Sequence, residues 1–64
     1  MSWSVGVNRA RSFLTGRYTA KAILELIAPV RSDGIWIAKI DKNGCIVTVY
    51  FQRKGVRWQI VKET

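Results

Sequence analysis

Residues 35–62 read IWIAKIDKNGCIVTVYFQRKGVRWQIVK, and the two turn signals in this stretch decide the fold. Asn43-Gly44 is a strong hairpin signal, because both residues tolerate the positive φ that a tight two-residue turn demands. Lys54-Gly55 is a weaker form of the same signal. The runs around them are rich in Ile, Val, Trp, Tyr, Phe and Thr, which suit a pleated, half-buried surface. The reading is a three-stranded antiparallel meander, with strands at about Ile35–Ile40, Cys45–Gln52 and Val56–Lys62.

Turn length sets the register, and the register sets which side chains share a face. Two-residue turns put Trp36, Ala38, Ile40, Val47, Val49, Phe51, Val56, Trp58 and Ile60 together. They put Ile37, Lys39, Thr48, Tyr50, Gln52, Arg57 and Gln59 on the other side. The first face is wholly apolar and the second mostly polar. Three-residue turns, with a bulge at each glycine, would shift the pairing by one and mix the faces. A sheet with one buried face specifies its register strongly, which favours the two-residue turns.

Toward the N-terminus, the turn-forming cluster Arg31-Ser32-Asp33-Gly34 marks a change of pattern. Before it the periodicity is helical. From Thr19 to about Ala28, the residues Ala20, Ile23, Leu24 and Ile27 fall at i, i+3, i+4 and i+7, one face of a helix. Thr19 is placed to cap this helix and Pro29 to stop it. An earlier helix is expected over about Asn8 to Thr15, capped by Asn8 and ended by Gly16, with Val7, Ala10, Phe13 and Leu14 on its apolar side. Residues 3–7 alternate, so a short edge strand is the other reading there. The expected fold class is α+β: one or two N-terminal helices packed on a three-stranded antiparallel β-meander. It forms a single small basic domain over residues 1–64, helical at about 8–28 and sheet at about 35–62.

A chain of 64 residues buries only about 60% of the surface its unfolded form exposes, so most large apolar side chains are needed for the core. Trp36 and Trp58 are assigned there. The charge is uneven: 11 Lys and Arg against 4 Asp and Glu, a formal net charge of +7. The excess is spread through the chain, with five basic and two acidic residues in 1–34 and six and two in 35–64. A folded basic domain is expected, with affinity for phosphate backbones or acidic surfaces.

The chain holds no histidine, the usual general base near neutral pH. Its acids, Glu25, Asp33, Asp41 and Glu63, form no close sequence pair. With one cysteine and few carboxylates, a metal site lacks ligands, and Gly34, Gly44 and Gly55 stand alone rather than in a phosphate-binding loop. Cys45 reads as a small strand residue beside a turn. The expectation is a protein that is not an enzyme and carries no metal or cofactor. The lone cysteine excludes an internal disulfide framework and points to a cytoplasmic setting. Met1–Arg11 lacks the apolar core of a signal peptide, and apolar runs such as Ala22–Val30 are too short to span a bilayer.

The expected function is nucleic-acid binding, DNA first, through the polar sheet face and the basic second hairpin tip. Lys39, Arg53, Lys54 and Arg57 would meet phosphates, Gln59 and Arg57 would reach base edges, and Tyr50 would stack on an unpaired base. Arg9, Arg11 and Arg17 form a second basic set. Two helices joined by a glycine-containing link also suggest a helix-turn-helix. Its second helix would expose only Lys21 and Glu25 as polar groups, which is too apolar to read a groove. The alternative partner is an acidic protein surface, on which the chain would dock as an adaptor or inhibitor with Ile35, Ile37 and Ile46 partly exposed. The Val56–Lys62 strand, an edge in this reading, is open to pairing with a second copy in a homodimer.

Overall fold

The computed structural model describes residues 2–29 and 33–64. Helix α1 (Ser2–Thr15) leads through a 3-10 turn (Ala20–Ala22) into a sheet of β1 (Ile23–Ile27), β2 (Trp36–Lys42), β3 (Cys45–Lys54) and β4 (Arg57–Glu63). The strands lie in sequence order and all pairs are antiparallel. The α+β class therefore holds, with four strands rather than three and one α-helix among the described residues.

The first hairpin forms as the sequence indicates. Lys42 pairs with Cys45, leaving Asn43 and Gly44 as a two-residue turn. Both have positive φ, 53° and 87°, as a type I′ turn requires. The Asp41 carboxylate accepts a hydrogen bond from the Gly44 amide at 2.9 Å, which braces the turn. The second hairpin turns one residue later than expected. Lys54 pairs with Arg57, so the turn is Gly55-Val56 rather than Lys54-Gly55. Gly55 alone takes a positive φ, 65°, the glycine-first pattern of a type II′ turn. Val56 thus leaves the apolar face and stands 85% exposed. The slip moves the partners of Phe51, Gln52 and Arg53 by two residues. A two-residue shift preserves which side a residue faces, so Trp58 and Ile60 remain with Phe51.

The segment expected as a helix over Thr19 to Ala28 is instead the 3-10 turn and β1. Thr19 precedes the turn but makes no side-chain capping bond. Ile23 pairs with Ile40 and Leu26 with Ala38, both on the buried side. In a regular strand, residues three apart point to opposite faces. Here the pairing is irregular between Ile23 and Glu25, so one extra residue is taken up and both Ile23 and Leu26 turn to the core. Leu24 is left 52% exposed. A bulged strand thus reproduces the i, i+3 spacing of a helix. Tertiary pairing decides between them, since β1 supplies the backbone partners that β2 would otherwise lack.

The helix begins at Ser2 and runs through residues 3–7, where an edge strand was the alternative. Asn8 is consequently interior to the helix and exposed, not a cap. The apolar side is the one expected: Ala10 and Leu14 are buried, with Val7 and Phe13 half-buried. The Leu14 carbonyl accepts from the Arg17 and Tyr18 amides at 2.9 and 2.8 Å, closing the helix. No second α-helix follows among the described residues, so a helix-turn-helix is not formed there.

The core lies between α1 and one face of the sheet. Ala10, Leu14, Ala38, Ile40, Val49 and Phe51 are fully buried. Phe51 is central to an aromatic group with Phe13, Trp36 and Trp58, its ring centroid 5.5, 6.2 and 5.7 Å from theirs. Trp36 and Trp58 pack against this core as assigned. Of the polar cluster before β2, Arg31 and Ser32 lie outside the described residues. Asp33 accepts a hydrogen bond from the Ile35 amide at 3.0 Å.

Candidate functional site

One sheet face packs on α1 and the other is open. The register aligns the open face in rows across the strands. Glu25, Lys39 and Thr48 form one row, ended by Thr64, whose amide and carbonyl both bond to Thr48. Ile27, Ile37, Tyr50 and Lys62 form the next. Gln52 and Gln59 pair beyond them, and Lys54 and Arg57 close the face at the hairpin tip. The first-hairpin end adds Asp41 opposite Ile46. From Thr48 to Lys54 the face runs about 20 Å, at roughly 3.3 Å per strand residue.

Lys39, Tyr50, Lys54, Arg57 and Gln59 thus share one surface. The structure adds Lys62, which regular alternation would have turned toward the helix with Trp58 and Ile60. The β3–β4 pairing shifts between Tyr50 and Phe51, so Val61 is the extra residue and Lys62 comes round beside Tyr50. Its Nζ lies 6.0 Å from the Tyr50 ring centroid, within cation–π range. Nothing in the β4 sequence announces this bulge, so Lys62 had no signal to find it by.

The other candidates lie on the helix side. Arg53 pairs with Trp58, and its Nε donates to the Gly55 carbonyl at 2.7 Å. Arg9 is on an exposed part of α1 and, with Arg53, lines a groove between the helix and the second hairpin. Arg17 sits with its guanidinium carbon 5.4 Å from the Phe13 ring centroid. Arg11 is exposed on α1. The nine sequence candidates therefore form two surfaces on opposite sides of the sheet. They meet only at the hairpin tip, where Arg53 faces the helix side while Lys54 and Arg57 face the open side.

The acids are mostly engaged elsewhere. Asp33 and Asp41 accept backbone amides at their turns. Glu63 accepts from Tyr18 Oη at 3.0 Å and pairs with Lys42 Nζ at 3.2 Å. The bonds from Lys42 and Tyr18 hold the Glu63 carboxyl below the usual carboxylate range. Burial pushes the Tyr18 phenol up, and its hydrogen bond to Glu63 adds to this. Glu25 stands across from Lys39 on the strand ladder. Among the described residues, Lys42–Glu63 is the ion pair; Arg9, Arg11, Arg17, Lys21, Lys39, Arg53, Lys54, Arg57 and Lys62 form none.

Among the described residues, no three or more His, Cys, Asp or Glu side chains gather to hold a metal ion. Cys45 is a free, exposed thiol at the first hairpin. No helix among them is long and apolar enough to cross a membrane. No protein-family model, curated protein or solved structure matches the chain.

Proposed function

We propose that the protein binds nucleic acid, DNA in the first instance, through the open sheet face and the basic tip of the β3–β4 hairpin. One observation carries this reading. The cations Lys39, Lys54, Arg57 and Lys62 stand along one face without an ion pair among the described residues; Asp33, Asp41 and Glu63 are engaged in hydrogen bonds, and Glu25, across the ladder from Lys39, is a lesser counter-charge on that face. The positive charge is therefore left available to phosphates, whose contacts supply affinity and orientation. The Gln52–Gln59 pair offers amide donors and acceptors to base edges, and a two-stranded ribbon fits the DNA major groove.

The test is fluorescence anisotropy of a labelled duplex across a salt series. Phosphate contacts from Lys39, Lys54, Arg57 and Lys62 predict a log–log slope of about −4, so a fourfold rise in salt weakens binding by about two orders of magnitude. No binding of duplex or single strand at low salt refutes the proposal.

A specific feature favours docking on an acidic protein as the second reading. The row Ile27–Ile37–Tyr50 makes an apolar strip across the open face, and Ile46 is 65% exposed nearby. Such a strip within a basic rim suits an acidic protein surface. Co-purification from native lysate before and after nuclease separates the two: a partner that survives nuclease supports docking.

A further inference from the structure

The groove on the helix side lies away from the open sheet face. Asn8, Arg9, Ser12 and Phe13 of α1 line it together with Arg53, Val56 and Trp58 of the second hairpin. It is an open surface groove with a volume of about 640 Å³. Its chemistry is two-part. Phe13 and Trp58 are half-buried aromatics with ring centroids 6.0 Å apart and near-parallel planes. Arg9 and Arg53 bring two guanidinium groups, and no carboxylate lines the groove to neutralise them. The Nε–H of Arg53 is held by the Gly55 carbonyl, which fixes the guanidinium and leaves its terminal amino groups without a partner among the described residues.

We propose that this groove receives an unpaired nucleobase of a single strand, packed on the exposed surface of the Phe13–Trp58 pair, with its phosphate held by Arg9 and Arg53. This rests on the nucleic-acid reading above and adds a second surface to it. An aromatic surface accepts any base, because every base has a π-face. The flanking guanidinium groups select an anionic strand over a neutral aromatic ligand. Asn8 and Ser12 supply uncharged hydrogen-bonding groups at the base edge. The hairpin tip connects the two surfaces, since Arg53 faces the groove while Lys54 and Arg57 face the open sheet.

The test compares, at one salt concentration, a short oligothymidylate, an abasic strand of equal length, a duplex and an oligoglutamate of equal charge. The expected result is that oligothymidylate binds at least about fivefold tighter than the abasic strand, the size of one base–aromatic contact. Ser12→Glu, which places an anion in the groove on an exposed helix position, is expected to abolish that excess. Lys39→Glu, on the opposite face, should lower both affinities and leave their ratio intact. The Trp58 indole NMR signal, assigned through Trp58→Phe, should shift with oligothymidylate and not with the abasic strand.

Equal affinity for the thymidylate and abasic strands overturns the proposal, as does an excess that survives both Ser12→Glu and Asn8→Asp. Oligoglutamate that binds as tightly as oligothymidylate and shifts the Trp58 indole signal as it does also overturns the proposal, by assigning the groove to acidic protein. Duplex binding without a base-dependent excess removes the groove and leaves the sheet-face reading standing. Absence of binding to any nucleic acid removes both.

Discussion

Lys54 and Arg57 face each other across the pair that closes the second hairpin. Like charges directly opposite destabilise a strand pair. Keeping two cations there is a local cost, and Lys54→Glu converts it into a cross-strand attraction. Cross-strand charge pairs contribute about 0.2–1 kcal/mol, and solvent screening holds exposed ones near the low end. Relieving a repulsion and adding an attraction of that size amounts to about 0.5–1 kcal/mol in all. For a domain of 64 residues, each kcal/mol moves Tm by about 4–8 °C, so the variant should melt roughly 2–8 °C higher. The gain should shrink at high salt, because both charges are exposed.

Nucleic-acid binding should change in the opposite direction. Losing one phosphate contact lowers the magnitude of the salt slope by about 0.9, and the added carboxylate repels the backbone further. Lys54→Gln separates the two effects, since it removes the cation without adding an anion. Circular dichroism melts at low and high salt measure the first quantity. Anisotropy with a labelled duplex across a salt series measures the second. A salt slope unchanged in both variants would remove the hairpin tip from the interface. A lower Tm for Lys54→Glu would refute the cross-strand geometry. A variant that becomes more stable while binding worse cannot be explained by damage to the fold.

Phe51→Ala removes the side chain at the centre of the aromatic group; such truncations cost about 3–5 kcal/mol, comparable to the whole stability of so small a domain, so urea melts should find it largely unfolded. Gly55→Ala forces a side chain onto a φ of 65°; a left-handed L-residue costs about 1–2 kcal/mol, and the melting temperature should fall accordingly. Glu63 has its pKa lowered by Lys42 and Tyr18, so its contribution is present above the ordinary carboxylate pKa and is lost as pH falls through the lowered value. Glu63→Gln should therefore weaken the acid dependence of the urea midpoint, and an unchanged acid limb would show that the Tyr18–Glu63–Lys42 cluster contributes nothing to stability.

The hairpins were legible in the sequence because their determinants are local. Asn43-Gly44 names its own turn, and alternation over Trp36–Ile40 and Val47–Phe51 names the buried face. The second turn lies one residue later than its dipeptide suggests; the resulting two-residue shift keeps Trp58 and Ile60 with Phe51 and expels only Val56 from the apolar face. The N-terminal half was less legible for a physical reason. Ile23 and Leu26 are spaced for a helix, and the residues between them do not reveal that one is absorbed in a bulge. What settles β1 is the unpaired edge of β2, which is a property of the folded sheet and not of residues 19–28. The start of α1 at Ser2, well before Asn8, was likewise hidden by the alternation of residues 3–7.

The irregularity in β4 has the larger consequence for function. With unbroken alternation along β4, Arg57, Gln59, Val61 and Glu63 would face the open side and Lys62 the helix side. The open face would then carry Lys39, Lys54 and Arg57 against Glu25, Asp41 and Glu63, a balanced surface. The register shift at Tyr50/Phe51 exchanges the last two charged residues of the strand. Lys62 arrives beside Tyr50, and Glu63 turns to the helix side, where Lys42 and Tyr18 receive it. The open face becomes Lys39, Lys54, Arg57 and Lys62 against Glu25 and Asp41. One extra residue, Val61, left 51% exposed, thus converts a neutral sheet face into a basic one and gives the displaced acid a structural partner. The net charge of the chain does not determine where that charge can act; the bulge concentrates it on the face that the helix leaves uncovered.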